Sequence, residues 1–195
     1  GVHATSTHAG NSDVHWVIDE VGHRRFFRDA IDVERDTEAT LERLAPHAFP
    51  DLYFAARVWR GLSDFAGGYR AVRSVLRKYL AVLDDDAHWA FTCPPPALTR
   101  NETTSPTAKG TPPNQIIERR FMGLGLDMAP EKANVYADLY CRGKRQIIVG
   151  SRTLYCEWHG KFEPHQNRIH VHAPVPESKQ RVIIAIFAEH LPLPP

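Results

Sequence analysis

The pattern of apolar and polar positions changes character near residue 86. Before it, apolar residues recur at helical spacing. Tyr69, Val72, Val75, Leu76, Tyr79, Leu80 and Leu83 are separated by threes and fours, which predicts an amphipathic helix. Behind Pro50, the residues Leu52, Ala55, Ala56, Trp59 and Leu62 predict another, stopped by Gly67-Gly68. Asp36 or Thr37 is the N-cap of a shorter helix that runs to Ala45 and closes at Pro46. Phe26, Phe27 and Ile31 fit a helix, Val14, Trp16 and Ile18 a short strand, and residues 1–12 a loose terminus. Asp84-Asp85-Asp86 has the composition of a solvated turn after the long helix, and the basic side of that helix (Arg70, Arg73, Arg77, Lys78) that of a solvated face.

After residue 86 the periods are mixed. His88–Phe91 suits a short strand. Residues 93–114 are rich in Pro and Thr and poor in large apolar side chains, so a mobile loop is expected there. Gln115–Met122 is a short helix ended by Gly123 and Gly125. Pro130 opens another, with Val135, Tyr136, Leu139 and Tyr140 on its apolar side and Gly143 as its stop. Gln146–Val149 is a strand, followed by the hairpin dipeptide Gly150-Ser151. Val182–Ala188 is apolar on both sides, as in an interior strand. The class is α+β: a helical region over residues 1–86, then an α+β domain over 87–195 in the order β-α-α-β-β-β-β, with an antiparallel sheet of at least four strands across 145–190.

The stretch 153–172 carries the chemistry. With a period of two, Tyr155, Glu157, His159 and Lys161 share one side, while Leu154, Cys156, Trp158 and Phe162 share the other. After a polar turn at 163–167, Arg168, His170 and His172 alternate with Ile169 and Val171. This is a hairpin with one apolar and one polar face. Lys161 opposite Arg168 sets His159 opposite His170 and Glu157 opposite His172; a slip of two residues sets Lys161 opposite His170 and His159 opposite His172. Either register gathers the titratable groups, and Glu189 or His190 could add to them from the next strand.

Composition narrows the partner. The chain has 195 residues, 43% hydrophobic and 24% charged, with a net charge of +1. That argues against bulk attraction to nucleic acid, yet from Cys141 to His172 six Lys/Arg face two acids, which favours an anionic partner for this region. No apolar run reaches the length of a membrane span and no signal-peptide core follows the start, so a cytoplasmic protein is expected. Three cysteines (Cys93, Cys141, Cys156) without metal-type spacing suit free thiols in a reducing compartment.

Cleavage of an RNA phosphodiester through its own 2′-hydroxyl needs a base, an acid and cations, with no cofactor. Glu157 or His159 can serve as the base, His170 or His172 as the acid, and Lys161 and Arg168 can neutralise the phosphate. On element order and this polar face, residues 87–191 resemble the RelE, barnase and colicin group of small ribonucleases. The resemblance implies catalytic side chains on one sheet face, RNA as the substrate and an antitoxin-like protein partner. It covers neither the helical region before residue 87 nor the 93–114 insertion. Two alternatives remain. His159, His170 and His172 have the composition of a three-histidine zinc site, although Lys161 and Arg168 would repel a dication. The face could also bind an anionic ligand or a protein without chemistry.

Overall fold

The computed structural model describes residues 2–6, 10–14, 17–102, 108–164 and 166–195, the first two segments by backbone alone. The architecture is α+β. Strands β1 (Val2–Ser6) and β2 (Gly10–Val14) pair antiparallel, where a loose terminus was expected. Helix α1 (Glu20–Val33) starts at Asp19, whose carboxylate accepts from Gly22 N at 2.6 Å. Helix α2 (Glu38–Ala48) is capped by Thr37, which accepts from Thr40 N at 3.1 Å. Pro46 lies inside α2 and not at its end. In the last turn it forfeits one hydrogen bond without blocking the two residues that follow.

The one helix expected behind Pro50 is instead two other elements. Leu52–Phe54 is strand β3, parallel to the last strand, and Val58–Asp64 is a 3₁₀ helix. Of the apolar set, Leu52, Ala55 and Leu62 are buried, Trp59 is half-buried and Ala56 is exposed, so the spacing marked most of the core positions. It did not fix the local conformation, because pairing with an interior strand outweighs propensity. Helix α3 runs from Gly68 to Thr92 and includes the segment read as a strand at His88–Phe91. Ala87, Ala90 and Phe91 continue the apolar stripe of Tyr69, Val72, Leu76 and Leu83. The three acids do not end it: Asp84 is buried and receives Arg28 Nη2 at 2.8 Å and Asp51 N at 2.7 Å. The basic side of α3 is partly paired, with Arg77 Nη1 2.6 Å from Asp32.

The start of the stretch read as a mobile loop is tied to a buried side chain. Arg120, on helix α4 (Asn114–Gly123), is fully buried and donates to the carbonyls of Ala90, Cys93 and Ala97 at 2.8–2.9 Å and of Pro94 at 3.3 Å. One guanidinium satisfies four carbonyls and orders residues 93–97 without large side chains of their own. Residues 103–107 lie outside the described residues.

Strand β4 (Met128–Pro130) precedes two short helices, α5 (Ala133–Ala137) and α6 (Leu139–Lys144), where one helix was expected. The β-α-α-β order therefore opens on β4 and not on residues 88–91. Strands β5 (Gln146–Val149) and β6 (Arg152–Tyr155) form the expected hairpin as a sheet of their own. The chain then breaks at Cys156-Glu157, before β7 (Trp158–Glu163), β8 (Gln166–His172) and β9 (Val182–Ala188). The main sheet has the order β3-β9-β8-β7-β4, antiparallel except for β3 against β9. Five strands thus lie within residues 145–190, divided between two sheets. The boundary at 86/87 falls inside α3, and residues from both sides of it share one core. Among the described residues no helix is long and apolar enough to cross a membrane, and Cys93, Cys141 and Cys156 are free thiols.

The site depends on how α3 covers the sheet. Trp158, Ile169, Val171, Ile184 and Phe187 join the α3 core, so the residues between them on β7 and β8 turn to the far side. A bulge in the β8–β9 ladder pairs His170 with Ile186 and Val171 with Ile184, leaving Ala185 as an extra residue. Ala185 then packs with Ile183 in a second core that also holds Val149, Leu154 and Cys156. Gly160 permits the close approach of α3: a Cβ there would lie 2.5 Å from Tyr79 Cε1 and 2.8 Å from both Ile169 Cγ2 and Met128 Sδ. Gly160→Ala should therefore destabilise the fold by about 1–3 kcal/mol. Thermal unfolding would show a lowered midpoint; an unchanged midpoint would mean that the helix and sheet are not in close contact here.

Candidate functional site

The observed β7–β8 register is Lys161 opposite Arg168 and His159 opposite His170. These four side chains lie on the face away from α3. Lys161 and Arg168 are like charges set directly across from one another, an unfavourable pairing. Asp127 eases it, with Oδ1 3.2 Å from Lys161 Nζ.

At the centre is Glu131, just after β4. Its Oε1 lies 2.7 Å from Arg145 Nε, 3.4 Å from His159 Nδ1 and 3.7 Å from His170 Nδ1. Backbone pairing places it there: Glu131 N donates to Glu157 O at 2.7 Å, which anchors the end of β4 beside the start of β7. Arg145, just past α6, also donates to Cys141 O at 3.1 Å and Pro192 O at 3.0 Å. The two histidine rings are 5.7 Å apart. Tyr155, at the end of β6, and Arg168 lie close enough for their charge states to respond to Glu131.

The electrostatics follow from burial. Burial alone would raise the Glu131 carboxyl, but His159 and Arg145 outweigh it and bring the group down to about 2, so it is ionised at neutral pH. Burial pushes His170 down to about 3, reinforced by the positive charges on His159, Arg145 and Arg168 and opposed by Glu131. His170 is therefore neutral. Burial lowers the Arg168 guanidinium and raises the Tyr155 hydroxyl, the latter to about 12 with Glu131 adding to it.

Seven enclosed side-chain polar atoms lack a hydrogen-bond partner among the described residues, and five belong to this cluster: Tyr155 Oη, His159 Nδ1, Arg168 Nη1 and both ring nitrogens of His170. Each such atom costs about 1–3 kcal/mol. A fold that keeps several in one place keeps them for something other than stability. His159 is the cluster histidine that reaches the surface, with 12% of its side chain exposed. Nδ1 is the nitrogen that faces Glu131, 3.4 Å from its Oε1 without a hydrogen bond, so Nε2 points away from the carboxylate.

Two expected members stand apart. Glu157 lies before β7 and outside the ladder, is exposed, and accepts from Asn114 Nδ2 at 2.8 Å. His172, at the far end of β8, sits 2.7 Å through Nδ1 from Ala173 O, and burial first of all keeps it below its ordinary range. The trio His159, His170 and His172 does not come together as a metal site: among the described residues no three His, Cys, Asp or Glu side chains are grouped to hold an ion. The ladder spreads them along β7 and β8, and Arg145 and Arg168 flank two of them. Glu189 and His190 are both exposed, and Glu189 sits 3.5 Å from Gln166 Nε2.

Sequence reasoning missed Glu131 and Arg145. The signal was the basic surplus of residues 141–172. Buried cations need a counter-charge, and Glu131 is one of the first acids upstream. Comparison with family models, curated proteins and solved structures found no match. The chemistry of the cluster is then the guide to function.

The neutral His170 sets a pH dependence. Unfolded, it takes a proton near its ordinary value of 6.5; folded, only near 3. Between those values the unfolded chain binds more protons, so stability falls as pH falls. Asp84, which burial raises to about 6 against its partners Arg28 and Arg24, works in the opposite sense. Comparison with His170→Gln isolates the histidine. The wild-type slope of stability against pH should be steeper by up to about 1.4 kcal/mol per pH unit across the upper part of that window. Chemical denaturation at a series of pH values measures it, and equal slopes would show that His170 is not held neutral.

Proposed function

We propose that this protein cleaves RNA without a metal, using the Glu131-centred face of the sheet. The observation that carries the reading is the buried, ionised Glu131 against His159, with Arg145 and Arg168 beside it. The carboxylate lies 3.4 Å from Nδ1, which leaves Nε2 to face the substrate. His159 is the acid for the leaving 5′-oxygen. The base for the 2′-hydroxyl is Glu157, which stands exposed before β7, apart from the cluster, so the bound RNA spans from the cluster to that segment. Lys161 and Arg168 hold the phosphate and offset the charge that builds on it. The O2′–P bond forms as the P–O5′ bond breaks, which leaves a 2′,3′-cyclic phosphate and a 5′-hydroxyl.

His170 changes role relative to the sequence expectation. A buried neutral imidazole is a poor acid at neutral pH, so His170 positions Glu131 and His159 and transfers no proton. His172 lies outside the reaction. The rigid sheet suits such a site, because catalytic groups held by strands keep their geometry better than groups on loops. The likeness to the RelE, barnase and colicin ribonucleases supports the same reading through the polar sheet face alone, since residues 88–91, which opened its element order, are helical.

The test is cleavage of a mixed-sequence RNA in EDTA. Wild type should give fragments ending in 2′,3′-cyclic phosphate, and 2′-O-methyl RNA should stay intact. His159→Ala should lose roughly a hundredfold or more in rate with little change in unfolding temperature. Cleavage by His159→Ala at the wild-type rate, or no cleavage by the wild type, overturns the proposal. RNA binding without cleavage would leave a module that recognises anions.

A further inference from the structure

Helices α5 and α6 expose what the apolar pattern assigned to a core. Tyr136 is 51% exposed, Leu139 74% and Tyr140 63%, and nearby Ile148 on β5 is 73% exposed. The rings are not bare. Arg142 Cζ lies 5.3 Å from the Tyr136 ring centroid, and Lys144 Nζ lies 5.3 Å from that of Tyr140. Tyr136 also meets the ring of Tyr155 edge-on, at 4.9 Å and 78°, and Tyr155 borders the Glu131 cluster. Two solvent-facing aromatic rings thus each have a cation over them, and one of them, Tyr136, borders the site through Tyr155.

We propose that Tyr136 and Tyr140, with Arg142 and Lys144, form a stacking platform for an unpaired RNA strand entering the His159 site; this rests on the RNA reading of that site. Aromatic faces hold bases whatever their sequence, and cations at the ring track the phosphates between them. The local charge suits this occupant. Across residues 136–148 the one acid, Asp138, is engaged in accepting from Cys141 N at 2.7 Å at the start of α6. Lys144 also borders a cleft of about 980 Å³, where Arg57 and Arg60 face one acid, Asp64, above Ile147 and Ile186. Cations beside an apolar floor continue the same surface chemistry away from the cluster. A protein partner fits less well, since an apolar interface would have to desolvate Arg142 and Lys144 on the ring faces without a carboxylate to receive them.

The test uses fluorescence anisotropy of the full chain with a labelled, uncleavable 2′-O-methyl oligouridylate. Wild type should bind this strand more tightly than a duplex of the same length. Tyr140→Ala and Tyr136→Ala should each weaken binding by roughly tenfold. Tyr140→Trp should retain it. Neutralising Arg142 and Lys144 with Gln should reduce the salt dependence by about 0.7 in log–log slope per charge. Unfolding temperatures should stay near wild type, because these side chains are exposed. Equal affinity in the tyrosine variants, equal affinity for duplex, or no binding by the wild type at low salt overturns the platform, as does a patch that only mediates self-association. Tyrosine-dependent binding by a protein that cuts no RNA supports the platform and sinks the nuclease reading. Cleavage with binding unaffected by the tyrosines does the reverse.

Discussion

The ion pair between Glu131 and Arg145 holds the far side of this sheet together. Its two members come from the end of β4 and the end of α6, and Arg145 reaches on to the carbonyls of Cys141 and Pro192. The end of β4, the helix α6 and the C-terminal segment are thus joined through one guanidinium. Both partners are buried, so each depends on the other: a buried charge left alone typically costs about 3–5 kcal/mol, whereas apolar residues of similar volume in place of both are often neutral. Stability alone therefore does not account for the pair. It does supply an ionised carboxylate in a dry site beside two histidines.

The two faces of the sheet explain why such a site sits here. Helix α3 covers one face through ordinary apolar packing, closely enough to require Gly160. The other face is closed by the β5–β6 hairpin and the segments around α5 and α6, which bring polar groups as well as apolar ones. His170 lies where this closure is complete, and it remains neutral first because burial disfavours its charged form, with the charges of His159, Arg145 and Arg168 adding to that. His159, one strand over, sits where the closure thins. Identical side chains in register across the ladder thus acquire different roles from depth alone.

Much of this was legible in the sequence where one period or one turn decided the outcome. The α+β class, the apolar stripe of α3 and the β5–β6 turn at Gly150-Ser151 follow from local pattern, and the pairing of His159 with His170 is one of the two registers that alternation left open. What stayed hidden was set by distant partners. Residues 52–54 became a strand because β9 offered a free edge. His88–Phe91 stayed helical because α3 had more core to cover, and residues 93–97 were ordered by Arg120 from the next helix. The site was half legible for the same reason. Alternation located the histidines and Arg168, but Glu131 reaches them only through the pairing of β4 with β7.

The charge balance of the cluster argues for the kind of ligand it takes. Glu131 is negative, Arg145 and Arg168 are positive, and His170 is neutral, so the enclosed part keeps an excess positive charge before Lys161 is counted. Asp127 offsets Lys161 at the rim. A dication entering this space would meet two guanidiniums and one carboxylate already committed to Arg145. A phosphate would meet Arg168 Nη1, an enclosed donor without a partner. Donors left unpaired in a dry, positively biased site favour an incoming oxyanion over a metal ion, because the anion restores the missing hydrogen bonds and relieves the repulsion between the cations. In the proposed reading, the exposed rings of α5 and α6 add a surface for the bases that accompany the phosphate.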